Sequence, residues 1–91
     1  MNKNIEVRTI KAIQYGCGKM GGLIMKYLHE KGVEIVGAID NNPELIGQDI
    51  GKVMGLEQKL GPTIHGDPEE VFATNPADVC IVAINGLLTE I

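Results

Sequence analysis

An α/β fold built on an all-parallel sheet is what this sequence predicts, on three observations. Short apolar runs alternate with segments of helical pattern along the chain. Two of those runs, 33–39 and 79–84, are apolar almost throughout, as strands covered on both faces read. A glycine cluster, Gly16-Cys17-Gly18-Lys19-Met20-Gly21, joins the first apolar run directly to the first helical segment.

Each element follows in order. Residues 10–15 are short, rich in branched and aromatic side chains, and run into glycine, which predicts a strand. Residues 19–31 predict a helix. Met20, Leu23, Ile24, Tyr27 and Leu28 recur at i, i+3, i+4, i+7 and i+8, a single apolar stripe expected to face the sheet. Lys31-Gly32 supplies its stop, a cation in the last turn followed by a residue free to adopt positive φ. Residues 33–39 form the second strand. The stretch 41–61 is broken by Gly47, Gly51, Gly55 and Gly61; a short helix starts at 43–45, and 50–56 forms a helical turn or a loop. A short third strand covers 63–65. In Asp67-Pro68-Glu69-Glu70, aspartate caps, proline suits the first helical position, and the glutamates favour the positive end of the helix dipole. That helix reaches about Ala73 and stops before Asn75-Pro76. Residues 79–84 form the fourth strand, and 87–91 begin a further helix. Right-handed crossovers then give a Rossmann-type sheet of order 3-2-1-4, the first half of a dinucleotide-binding domain. Tyr15 and Tyr27 are expected to pack between helix and sheet, Met20, Met25 and Met54 to fill gaps in the packing, and Cys80 to be buried and inert.

The chain has 91 residues, enough for one small domain. Hydrophobic residues make up 44% and charged residues 22%, a globular balance that excludes disorder as the expectation. A net charge of −4 with no basic cluster speaks against nucleic acid. No apolar run is long enough to span a bilayer, and nothing resembles a leader peptide, so no membrane contact is expected. Cys17 and Cys80 show no paired spacing and are read as reduced thiols of a cytoplasmic protein. His29 and His65 are too few and scattered for a metal site.

The cluster 16–21 matches G-x-G-x-x-G in the context that gives the pattern value, after a strand and opening a helix. Gly16 would allow the tight turn, Gly18 a close backbone approach to a pyrophosphate, and Gly21 close packing of helix on strand. The helix N-terminus offers N–H groups and positive partial charge to the phosphates. Asp40 ends the second strand ~20 residues beyond Gly21, where a carboxylate accepts hydrogen bonds from ribose hydroxyls and repels a 2′-phosphate. Lys19 pulls the other way, as a point charge able to reach a 2′-phosphate. NAD or NADP is therefore the expected cofactor, with NAD favoured. The bland alternative is a glycine-rich turn with no ligand. For Cys17, a small residue filling a tight loop is favoured over a redox-sensing thiol. His65, at the end of the third strand, reads as a loop histidine rather than an adenine contact. Asn85, before Gly86, is placed near the cofactor by topology, at the crevice where strand order reverses; as a plain turn residue it fits equally.

The segment from Ile10 through Gln14-Tyr15 to Gly21 resembles the opening of the dihydrodipicolinate reductase N-terminal domain, and more closely that of 2,4-diaminopentanoate dehydrogenase. The run 33–40 and Gly47-Gln48-Asp49-Ile50-Gly51, followed by Gly55-Leu56, are similar to both families. The resemblance implies an oxidoreductase moving hydride between nicotinamide and a carbon bearing nitrogen, with a small amino-acid-like substrate. The diaminopentanoate dehydrogenase activity is the first expectation, the reductase of lysine and diaminopimelate synthesis the second, and an NAD-sensing regulatory module without catalysis the third. In these families the acid–base residues lie beyond the part matched here, so no catalytic residue is assigned. The whole chain is expected to be the N-terminal part of an NAD(P)-binding domain, without its substrate domain and inactive alone. An apolar fourth strand left at the sheet edge is expected to be covered, first by the rest of a longer enzyme, otherwise by a second copy paired along it or by a separate partner chain; a homo-oligomer is the further expectation.

Overall fold

A computed structural model describes residues 9–83. Four strands form one all-parallel sheet: β1 (Lys11–Tyr15), β2 (Glu34–Ile39), β3 (Ile64–His65) and β4 (Val79–Val82), in the order β3-β2-β1-β4. Three helices connect them: α1 (Lys19–Glu30), α2 (Ile50–Val53) and α3 (Pro68–Thr74). The expected Rossmann-type order is the one observed. The asparagine at 85 and the helix expected at 87–91 lie outside the described residues.

Two apolar layers sandwich the sheet. On one face, Ala12, Ile35 and Ala38 of the strands pack with Met25 of α1 and with Ile50 and Met54 in and after α2. On the other, Ile13 and Ile39 meet Val71 of α3, with Tyr15 and Val36 at the margin. Helices α1 and α2 thus share a face and α3 crosses back over the other, as right-handed connections require when strand order reverses after β3. A register shift between Ala12 and Ile13 pairs Ile13 with Gly37 instead of Val36. Gly37 then lies under α3, where a Cβ would stand 2.8 Å from Val71 Cγ1. The absent side chain lets α3 settle on the sheet.

The N-terminus of α3 forms as its sequence dictates. The Asp67 carboxylate accepts from the Glu69 and Glu70 N–H groups, and Pro68 holds the first helical position. Helix α1 departs from expectation. Its sheet-facing side carries Gly21, Gly22 and Met25, whereas Met20, Leu23 and Tyr27 are half or more exposed, at 51%, 64% and 59%. The periodicity identified a helix, but the helix rides so low that glycines form its inner face and part of the apolar stripe is turned outward. Tyr27 accordingly lies under the Lys31 ammonium, 5.4 Å from ring centroid to nitrogen, instead of between helix and sheet. Cys80 is also exposed, because β4 lies at the edge of the sheet formed by the described residues, with Val79 and Val82 exposed beside it. No helix forms at 43–45; that stretch is a turn, and helix begins only at Ile50. Among the described residues no helix is long and apolar enough to cross a membrane.

Candidate dinucleotide-binding cleft

The C-terminal ends of the parallel strands converge on a cleft of about 510 Å³. Tyr15 and Gly16 enter it at the end of β1, Ile39 and Asp40 at the end of β2, Gly66 from the connection after β3, Pro68 from the start of α3, and Ala83 from beyond β4. Gly18, Met20 and Gly21 close one wall and Asn41, Asn42 and Leu45 the other. This is the crevice that open parallel sheets create where their strand order reverses.

Each motif glycine has a different geometric reason. Gly16 stands at φ 104°, a conformation that side-chain-bearing residues rarely adopt, and its N–H donates to the Ile39 carbonyl at 2.8 Å. Gly21 lies so close to the turn that a Cβ would run into the Gly16 carbonyl. Gly18 is the N-cap of α1, exposed, with nothing within 4 Å of the place a Cβ would occupy. No side chain caps this helix end, and its first turn holds no acidic residue. An uncapped helix start beside an open glycine is suited to an anion.

The rim is organised by Asp40. Its Oδ2 accepts from the Cys17 N–H at 2.7 Å and its Oδ1 from the Asn42 N–H at 2.8 Å. The carboxylate is thereby fixed across the mouth of the glycine loop, and each oxygen retains capacity for a further donor. Cys17 is fully buried, its thiol 3.4 Å from the Ile39 carbonyl. Burial, and next the Asp40 charge, push that thiol up to about 12. A redox-sensing cysteine needs the opposite shift. Lys19 lies on a second cleft of about 490 Å³ behind the glycine loop, bounded by Gly22, Gln48 and Val53. Gly18, Asn42 and Leu45 border both clefts. His65 is exposed beside Thr63 and is absent from the lining of either cleft.

Two residues that support the site escaped the reading of the chain as individual contributors. Gln14 is fully buried and its Nε2 donates to the Gly16 carbonyl at 3.0 Å. Asp49, buried at 8% exposure, caps α2 and gathers three backbone N–H groups: Gly51 at 2.7 Å, Leu60 at 2.8 Å and Gly61 at 2.8 Å. The Leu60 N–H foremost, with those of Gly61 and Gly51, holds its carboxyl below the usual carboxylate range. Asp49 thus ties down the glycine-punctuated loop behind the cleft. An aspartate directly before a helix, inside a glycine-rich stretch, was the available signal.

Comparison with known proteins places these features in context. Residues 10–82 match the family described as dihydrodipicolinate reductase, N-terminus. A 4-hydroxy-tetrahydrodipicolinate reductase from Synechocystis sp. is 48% identical over 40 residues, covering 43% of this chain and 14% of that enzyme. The structure of an amine dehydrogenase from Mycobacterium smegmatis superposes with a TM-score of 0.82 at 38% identity, over 91% of this chain and 25% of that one. An oxidoreductase from Agrobacterium radiobacter, solved with NAD+, L-tartaric acid and magnesium, gives a TM-score of 0.56 at 23% identity, over 86% of this chain and 21% of its own, a likeness of fold. The chain therefore spans a quarter or less of the length of these relatives.

Proposed function

This chain belongs to the dihydrodipicolinate reductase N-terminal family, and from that premise we propose that it is the NAD(P)-binding part of an oxidoreductase that moves hydride between nicotinamide and an amine or imine carbon. The observation that carries the proposal is the Asp40 carboxylate, fixed by the Cys17 and Asn42 N–H groups at the mouth of a cleft floored by the glycine turn. In this assignment Gly16, Gly18 and Gly21 shape the pyrophosphate seat, with the backbone of Cys17, Lys19 and Met20 around the start of α1. Asp40 takes the adenosine ribose hydroxyls. NAD is favoured over NADP because a 2′-phosphate would meet that carboxylate, while Lys19 borders the cleft behind the loop. Tyr15 and Ala83, where β1 and β4 end side by side, flank the nicotinamide half. The nicotinamide supplies the hydride chemistry, and these residues bind and orient it.

An amine substrate is favoured over a cyclic imine, since the likeness to the amine dehydrogenase extends over 91% of the chain at 38% identity. Acid–base groups and a substrate-binding part lie outside the residues assigned here. Titration of the protein with NADH should give saturable one-site binding. With NAD+ and a short diamino acid, the complete enzyme should release ammonia and form NADH. Failure of the protein to bind either nicotinamide dinucleotide, in the chain and in a longer form alike, would overturn the proposal.

A further inference from the structure

One peptide group links the buried core to the cleft mouth. Its carbonyl belongs to Gly16 and accepts from the Gln14 side chain at 3.0 Å; its N–H belongs to Cys17 and donates to Asp40 Oδ2 at 2.7 Å. The group is thus held at both ends, by a fully buried amide on one side and by the rim carboxylate on the other. A peptide following a glycine at φ 104° has unusual freedom to rotate, because no Cβ restricts that glycine. Rotation would remove the N–H from Asp40. The clamp by Gln14 prevents it.

Gln14 carries a cost that packing alone does not explain. Its Oε1 is buried and has no hydrogen-bond partner among the described residues. An unpartnered buried amide oxygen is unfavourable, and an apolar side chain of the same size would avoid it. Positions where a sequence breaks such a rule are characteristically functional. The donor half of the amide is what the site uses. The same face of the molecule needs the Gly16 carbonyl turned inward, since it lies against Gly21 of α1.

We propose that Gln14 is a positioning residue for cofactor discrimination, acting through the Gly16–Cys17 peptide to orient the Asp40 carboxylate toward a ribose 2′-hydroxyl. The inference rests on the assignment of the cleft to a nicotinamide dinucleotide. It adds that a residue with no access to the nucleotide sets the preference between a 2′-hydroxyl and a 2′-phosphate. Without the clamp, Asp40 loses the Cys17 N–H and keeps only that of Asn42, so the carboxylate turns about the remaining bond and no longer stands across the position of the 2′ substituent.

The test is a double-mutant cycle read as the ratio of NADPH to NADH dissociation constants. Wild type, Gln14→Met, Asp40→Ala and the double variant are titrated with both nucleotides. Gln14→Met should shrink the ratio about fivefold or more, in the range that coupled neighbours show. In the Asp40→Ala background the same substitution should leave the ratio unchanged. Gln14→Leu, made in parallel, serves the cycle if the methionine variant does not fold. A purely structural role would weaken both nucleotides alike and leave the ratio where it was, and that result overturns the inference. An equal shift in both backgrounds overturns it as well. If wild type binds NADH and only the Gln14 effect is missing, the cleft assignment stands and the role of Gln14 falls; if wild type binds neither nucleotide, in the chain and in a longer form alike, both fall.

Discussion

The Asp40 carboxylate and the Cys17 backbone nitrogen lie 2.7 Å apart, joining the end of β2 to the glycine turn that follows β1. A charged acceptor on a backbone N–H makes a strong, directional bond. It links the residue proposed to take the ribose hydroxyls to the loop proposed to seat the phosphates. Asp40→Asn can retain one of its two backbone contacts through the amide oxygen, whereas Asp40→Ala loses both. The asparagine variant should therefore keep most of the NADH affinity and the alanine variant lose about tenfold or more, as expected when charge-assisted bonds disappear. Calorimetric titration of the two variants checks the order; equal losses would contradict it.

Gly18 and Gly21 separate binding from folding. A side chain at Gly18 meets open space, so Gly18→Leu should melt within a few degrees of wild type yet block NADH. A methyl at Gly21 collides with the Gly16 carbonyl, so Gly21→Ala should lose about 1–3 kcal/mol, the usual cost of overpacking. Thermal melts alongside NADH titrations measure both effects. A Gly18→Leu variant that binds NADH normally would remove the pyrophosphate from this wall of the cleft.

Asp49 gives the fold an acid-sensitive joint. Its folded pKa is lowered, so its contribution to stability is complete above the unfolded value near 3.9 and is lost as pH falls through the folded value. Asp49→Ala should be less stable than wild type at neutral pH. The gap should narrow as the pH drops below about 4, the unfolded carboxylate range. Chemical denaturation at neutral and acidic pH measures that gap, and a gap independent of pH would show that the charge is not what holds the Leu60 and Gly61 N–H groups.

The two cysteines should differ in reactivity. Cys17 is buried with its thiol pushed up to about 12, while Cys80 is exposed on the edge strand. A thiolate-specific reagent at mildly alkaline pH should modify one cysteine per native chain, at Cys80, and two after denaturation. Peptide mapping that finds Cys17 labelled in the native chain would contradict its packing against Ile39.

Element order, strand order and the glycine turn were legible because hydrophobic period, glycine position and capping residues act locally. The α3 start at Asp67-Pro68 was read residue for residue from its caps. The inner face of α1 was not, since apolar side chains mark a helix but do not say that glycines will carry it onto the sheet. Cys80 reads as core because an apolar strand looks the same in the middle of a sheet and at its edge. The anchoring roles of Gln14 and Asp49 are tertiary. Each depends on backbone groups brought near by the fold, Gly16 for one and Leu60 and Gly61 for the other. The glycine turn and Asp40 were thus visible, whereas Leu45, Gly66 and Ala83 of the cleft lining, and the side chains that hold the turn in place, were not.

The most direct measurement is a side-by-side titration of wild type and Asp40→Ala with NADH and with NADPH. Wild type should bind NADH at least about tenfold more tightly than NADPH, and Asp40→Ala should lose most of that difference. Equal binding of the two nucleotides by wild type, or an undiminished preference in Asp40→Ala, would contradict the role of Asp40 at the mouth of the cleft.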